Sequence, residues 1–315
     1  MNKIESNDKR LFRDFVQNIG YDINEKTLEN FEINFQKAYT FLPELAVFLG
    51  SYMVKKTIKR NSQPPRNIPN NIRIFFHNIV HAKYEQSTSD KQLPYVRISS
   101  STTPQTTVFK KGTEANIILV IIEVDFLKSF LQSDAEKYSF LCHLDQHFII
   151  EEMMSDDILR TVKEIITEGK KQKLKDFFYK LKTLELLYYL FESLSQRDSS
   201  HSVLKLNERD ITAIYQVRNA MATNLSQAHP ISELKRIAGM NELKMRKLFK
   251  QIFGKGIYEY FQYLRMTEAA RMLREDKLSV SEVGYALGFE NLSHFTRLFE
   301  NHIGMKPKKY SGQFQ

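Results

Sequence analysis

Four side chains near the C-terminus recur at helical spacing. Leu243, Arg246, Lys247 and Lys250 stand at i, i+3, i+4 and i+7, so one helix would carry them as one stripe. A guanidinium or ammonium on such a stripe can donate to guanine O6 and N7, and an apolar tip beside it can meet a thymine methyl group. Lys250, with Lys244 beside it, suits backbone phosphates instead, as do Lys308 and Lys309; those contacts add affinity but little sequence choice. A second set, Leu292, Ser293, Thr296 and Arg297, repeats the arrangement. There Arg297 matches Lys247, Thr296 matches Arg246, and Glu300 matches Lys250 with its charge reversed, an unfavourable sign near phosphates.

These stripes need helices that hold them outward. Met245, Leu248, Phe249 and Ile252 supply the opposite, packed face of the first helix, and Phe295, Leu298, Phe299 and Ile303 that of the second. Asn241, Ser279 and Asn291 are placed to cap helices, and Ser279 with Glu282 has capping-box spacing. Gly288 suits a turn that needs positive φ. The whole pattern occurs twice. Ser232, Glu233 and Gly239 fall on Ser281, Glu282 and Gly288 at an offset of 49, and Asn241, Phe249, Gly254 and Tyr260 fall on Asn291, Phe299, Gly304 and Tyr310 at 50. Each copy reads as a short helix, a glycine-bearing turn and a longer helix, the layout of a helix-turn-helix. Ile257–Glu275 reads as a connecting helix; a rigid one would fix the spacing of the two heads, and about 34 Å would place both in successive major grooves. A packing-only hairpin is the plain alternative for one copy, but two copies with matching outward residues argue against it.

The charge distribution agrees. The chain has 315 residues and a formal charge of +9, and Arg209–Gln315 holds 17 Lys+Arg against 10 Asp+Glu. Concentrated positive charge favours a polyanion such as duplex DNA through counterion release, although a basic surface kept for solubility has the same count. Cys142 is the one cysteine, so no internal disulfide can form, which fits a reducing compartment. It reads as a small buried apolar side chain. The charged start, MNKIESNDKR, argues against a signal peptide, and the longest apolar run, Ile117–Ile122, is far below the roughly 20 residues that cross a bilayer. A cytoplasmic protein without membrane contact is expected.

The fold expected is α+β, with a sensing and dimerisation domain over 1–196, a linker over 197–209 and an all-α domain over 210–315. Up to about residue 130 the chain reads as β-rich, with runs at Ala46–Lys59, Ile72–Tyr84, Tyr95–Ser100 and Ile117–Val124 and polar breaks between them, a pattern that suits a small sandwich or barrel. The first 40 residues read as partly helical. Over 155–196 two helices are expected, Asp156–Glu168 and Gln172–Gln196, broken at Gly169. In the second, Leu174, Phe177, Leu181, Leu184, Tyr188 and Phe191 make a heptad seam. Further apolar positions demand cover on two sides, one by the β-rich part and the other by a second subunit, against the alternative of burial within one domain.

In the segments GFENLSHFTRLFENHIGMKPKKY, YFQYLRMTEAARML with Arg265, and MRKLFKQIFGKGIYEYF, the sequence resembles the AraC/XylS family of bacterial transcription regulators. The resemblance covers about Asp210–Tyr310 and implies two helix-turn-helix motifs joined by a linker helix. It also implies base contacts by Leu243, Arg246 and Lys247 in the first motif and by Ser293, Thr296 and Arg297 in the second. Asn241 stands where the family commonly has serine, and Glu300 where a basic residue is common. Through ANIILVIIEVDFLKSFL and the helical pair after it, the N-terminal part is similar to the sensing half of such regulators, a cupin-like β-barrel with a dimerising helical pair. The pair is similar to the PchR-like branch, which senses siderophores.

Enzyme chemistry is not written in the chain. Gly254-Lys255-Gly256 lacks the upstream glycine and Ser/Thr of a P-loop, and neither G-x-S-x-G nor G-x-G-x-x-G occurs. His77 and His81 on one strand would stand about 13 Å apart, too far to share an ion. His143 and His147 could share one on a helix but lack a third ligand, so no metal, cofactor or catalytic set is expected. The reading is a homodimeric, sequence-specific DNA-binding regulator, an activator by resemblance, with a small effector of unknown identity and RNA polymerase as a possible contact. The rivals are a cupin-like carrier or enzyme with an accessory basic domain, and an architectural DNA binder without an effector.

Overall fold

The chain divides into two compact units, Met1–Leu206 and Asn207–Gln315. The structure, a computed structural model, describes residues 29–42, 44–62, 70–77, 94–103, 105–142, 147–167, 173–197 and 206–314.

The first unit is built on strands β1 (Phe31–Leu42), β2 (Leu45–Val54), β3 (Ile58–Ser62), β4 (Asn71–His77), β5 (Tyr95–Ser100), β6 (Gln105–Phe109), β7 (Glu114–Glu123) and β8 (Ile149–Met153). Six of them form one antiparallel sheet in the order β1-β2-β7-β4-β5-β8, and β3 pairs with β6 apart from it. The apolar run of β7 sits centrally, paired with β2 through Val47↔Val120 and with β4 through Ile74↔Val120. A central strand covered on both faces needs such continuous apolarity. One face of the sheet, with Val47, Ile74, Val96, Ile118, Val120 and Ile150, packs under helices α1 (Val124–Leu131), α2 (Asp156–Thr167) and α3 (Lys175–Ser195). The other face carries a smaller cluster around Phe48, Tyr52 and Leu119.

Several expectations are corrected here. Among the described residues the sheet is open, with β1 and β8 as its two edges, rather than a closed barrel. Closure depends on long-range edge pairing that local patterns do not report. Of the first 40 residues, read as partly helical, 31–40 belong to strand β1, paired with β2 from Phe31↔Val54 to Leu42↔Leu45 with two register shifts, and 1–28 lie outside the described residues. The run Ala46–Lys59 is not one strand: a bend at Lys55 and Lys56 separates β2 from β3. The β-rich part also does not stop near 130, since β8 follows α1 and a run of 3-10 turns over Gln132–Leu141. Gly169, His81, His143 and the end of the run Ile72–Tyr84 lie outside the described residues.

The second unit is all helical: α4 (Glu208–Thr223), α5 (Ile231–Ala238), α6 (Glu242–Phe253), α7 (Ile257–Arg274), α8 (Val280–Ala286), α9 (Leu292–Ile303) and α10 (Pro307–Ser311). It starts at Asn207, whose side chain accepts from Asp210 N and caps α4. That cap places the start three residues before the expected 210, and residues 198–205 of the expected linker lie outside the described residues.

Candidate nucleic-acid interface

Helices α5 and α6 make one helix-turn-helix, and α8 and α9 make another. In the first turn Gly239 takes the left-handed conformation at φ 60°. Asn241 Oδ1 then accepts from Lys244 N at 2.8 Å and caps α6. In the second motif Ser279 Oγ accepts from Glu282 N, and Glu282 Oε2 accepts from Ser279 N at 2.7 Å. That reciprocal bonding holds the Glu282 carboxyl below its usual range. Gly288 has φ 73°, and a Cβ there would lie 2.0 Å from Ser226 O. Asn291 Oδ1 accepts from Ser293 N and His294 N, capping α9.

Each of the two longer helices buries one stripe and leaves the other out. Met245, Leu248, Phe249 and Ile252 of α6 are fully buried, while Leu243, Arg246, Lys247 and Lys250 are exposed. Leu243 is 66% exposed, a large apolar side chain left in water on the outer face. On α9, Phe295 and Phe299 are buried, Ser293 and Arg297 are exposed, and Thr296 is partly so. Leu292, Ser293, Thr296, Arg297 and Glu300 line one shallow surface depression. Lys308 and Lys309 are exposed on α10.

The cations differ in what holds them. Arg246 Nε donates to Glu242 Oε1 at 2.8 Å, an exposed i,i+4 pair of small energetic weight. Lys244 Nζ donates to Asp210 Oδ1 at 2.8 Å, and that carboxylate is nearly buried. Lys244 therefore joins α6 to α4.

Helix α7 fixes the two heads to one body. Tyr260 meets Phe249 and Phe253 of α6 at 5.4 and 5.0 Å between ring centroids. Met266, Ala269, Ala270 and Leu273 enter the core of the second motif with Val283, Phe295 and Phe299. Arg265 is buried; it donates to Leu287 O, at the end of α8, and to Gln262 Oε1, and its guanidinium lies 3.6 Å from the Phe289 ring centre. Burial lowers its pKa from the ordinary arginine value. Leu225, in the loop before α5, also packs into the second motif's core. The sequence marks Arg265 only through family resemblance and gives no sign of the Leu225–Ser226 contact, because both depend on which turn lies opposite.

In the first unit the heptad seam splits. Leu174, Phe177, Leu181, Leu184 and Tyr188 are 72, 65, 53, 41 and 62% exposed, but Phe191 is 5% exposed. Phe191 therefore leaves the outer seam: it packs in the unit's own core, where Tyr138 Oη donates to its carbonyl and the two rings meet edge-on. Burial pushes the Cys142 thiol up from its usual pKa. His77 stacks between Phe75 and Tyr95, at 4.0 and 4.7 Å. Among the described residues no three His, Cys, Asp or Glu side chains stand together as a metal site, and no helix is long and apolar enough to cross a membrane.

Residues 234–313 match the family described as "Helix-turn-helix domain". The HTH-type transcriptional regulator GlxA of Rhizobium meliloti (strain 1021) is 27% identical over 95 residues, 30% of this chain and 29% of the relative. The HTH-type transcriptional activator CfaD of Escherichia coli is 26% identical over 123 residues, 36% of this chain and 46% of the relative. The chain thus spans less than half the length of these relatives. A crystal structure of a transcriptional regulator with an AraC-type DNA-binding domain, from Chromobacterium violaceum, is 23% identical and covers 34% of this chain and 96% of that one, with a TM-score of 0.32.

Proposed function

We propose that this chain, whose residues 234–313 are a helix-turn-helix domain, is a sequence-specific DNA-binding transcription regulator of the AraC type. The observation that carries the reading is the division of α6 and α9 into a buried apolar stripe and an exposed polar one, twice in one rigid unit. One such helix could serve packing alone with its charges merely solvated, but two with matching outward residues in one unit argue against that. Leu243, Arg246 and Lys247 read bases in one major groove, and Ser293, Thr296 and Arg297 read them in the next. Lys250, Lys308 and Lys309 meet phosphates.

The protein acts as a homodimer through the exposed part of the α3 seam, Leu174 to Tyr188, since five large apolar side chains on one face are costly to leave in water. The first unit receives a small effector, for which siderophores are the first class to test by resemblance, and the bound state changes how the two readers span an operator. Transcription is activated, through contact with RNA polymerase, in line with the name of the CfaD relative. Binding-site selection from random duplexes, followed by gel shifts with the Arg246→Ala/Arg297→Ala variant, tests the reading. A selected motif that the double variant binds at least about tenfold more weakly is expected. Unchanged affinity would end it.

A further inference from the structure

Glu300 breaks the charge pattern of the outer stripe, and its surroundings give that break a use. It stands one turn beyond Arg297 and lines the same depression as Ser293, Thr296 and Arg297, so it belongs to the face that meets bases rather than to the flank where Lys308 and Lys309 stand. It is half-buried, whereas its counterpart Lys250 is exposed. Leu292 adds apolar surface to the same depression. Among the described residues neither Glu300 nor Arg297 forms an ion pair, although they stand at i and i+3; Arg246 on the other helix is paired with Glu242. Both charged groups on α9 are therefore left for an external partner.

We propose that Glu300 is a base-reading residue, whose carboxylate accepts a hydrogen bond from the N4 amino group of cytosine in the major groove. This deepens the DNA-reading function above and rests on it. The chemistry selects cytosine. Guanine offers O6 and N7 and thymine offers O4, all acceptors that repel a carboxylate. Adenine offers its N6 donor beside the N7 acceptor, a pair that suits an amide and not a carboxylate. The spacing fits as well. Three residues advance a helix by about 4.5 Å, and successive base pairs advance by about 3.4 Å, so Arg297 and Glu300 meet neighbouring base pairs. The second recognition helix thus specifies a cytosine next to the guanine taken by Arg297. The reversed charge lowers affinity for DNA at large and raises the penalty for a wrong base.

The experiment is binding-site selection from a randomised duplex pool with the full chain, its Glu300→Gln variant and its Glu300→Ala variant. Fluorescence anisotropy on the selected site, with each base pair replaced in turn, then gives the discrimination. Wild type is expected to require cytosine at one position. Glu300→Ala should lose about tenfold of discrimination there and nothing elsewhere. Glu300→Gln should move the preference at that position to adenine. If both variants keep the wild-type motif and bind every duplex more tightly by one common factor, the carboxylate only repels phosphates and the proposal is overturned. A wild-type chain that selects no motif overturns the DNA-reading function itself, which is a different result.

Discussion

Replacing Gly288 with alanine separates two costs that are usually entangled. Both Gly239 and Gly288 hold positive φ, at 60° and 73°. An alanine in the left-handed region costs about 1–2 kcal/mol, and Gly239→Ala should show that cost alone, because a Cβ there meets nothing within 4 Å. At Gly288 the Cβ would lie 2.0 Å from Ser226 O and 2.8 Å from Ser226 C. Backbone rather than a flexible side-chain tip must give way, by roughly 1 Å, and strain of that kind adds about 1–3 kcal/mol. Gly288→Ala should therefore lower the opening free energy of α8 and α9 by about 2–5 kcal/mol, and Gly239→Ala that of α5 and α6 by about 1–2 kcal/mol. Native-state hydrogen exchange read on peptides spanning 280–303 and 231–253 measures each locally, which suits a chain of two units whose global melting is not two-state. Equal losses in the two variants would refute the close approach of the second turn to Ser226.

Four further outcomes are expected. Lys308→Ala with Lys309→Ala should weaken binding to all duplexes alike and reduce the slope of log affinity against log salt by up to about 1.8, as read by anisotropy titrations at several ionic strengths. Arg265→Met should leave Leu287 O without its buried donor and cost about 1–3 kcal/mol, seen as faster exchange in α8 while α4 stays protected. Leu181→Glu should shift sedimentation equilibrium toward monomer, and Phe191→Ala should instead destabilise the first unit by about 3–5 kcal/mol in thermal unfolding; a monomeric wild type would count against the seam.

What the sequence made legible was what is local. The caps at Asn241, Ser279 and Asn291 and the 3.6-residue spacing of Met245, Leu248, Phe249 and Ile252 involve neighbours within one or two turns, so chain order alone reports them. The matching outer stripes followed from the same period. The strand in β7 was visible as an uninterrupted apolar run. Closure of the sheet was not, because it turns on which strands become edges. Strand β1 lacks a clean alternation, since a register shift after Ile33 leaves Phe31 and Ile33 with the cluster around Tyr52 and Phe35 with the main core. The seam on α3 was read correctly as a period but not as a surface, since Phe191 is covered by Tyr138 from a segment some 50 residues away. Lys244 shows the same limit: its charge on a basic helix points to phosphate, and only the fold places Asp210 against it.

The lodging of Leu225 and Ser226 against the second motif makes the two heads a single heritable part. A graft that exchanges residues 280–304 for another protein's head must bring a compatible loop at 224–230, although that loop lies on the far side of the first head in chain order. Exchange of segments with a similar protein should therefore succeed when the cut falls before α4 and fail when it falls between the two motifs.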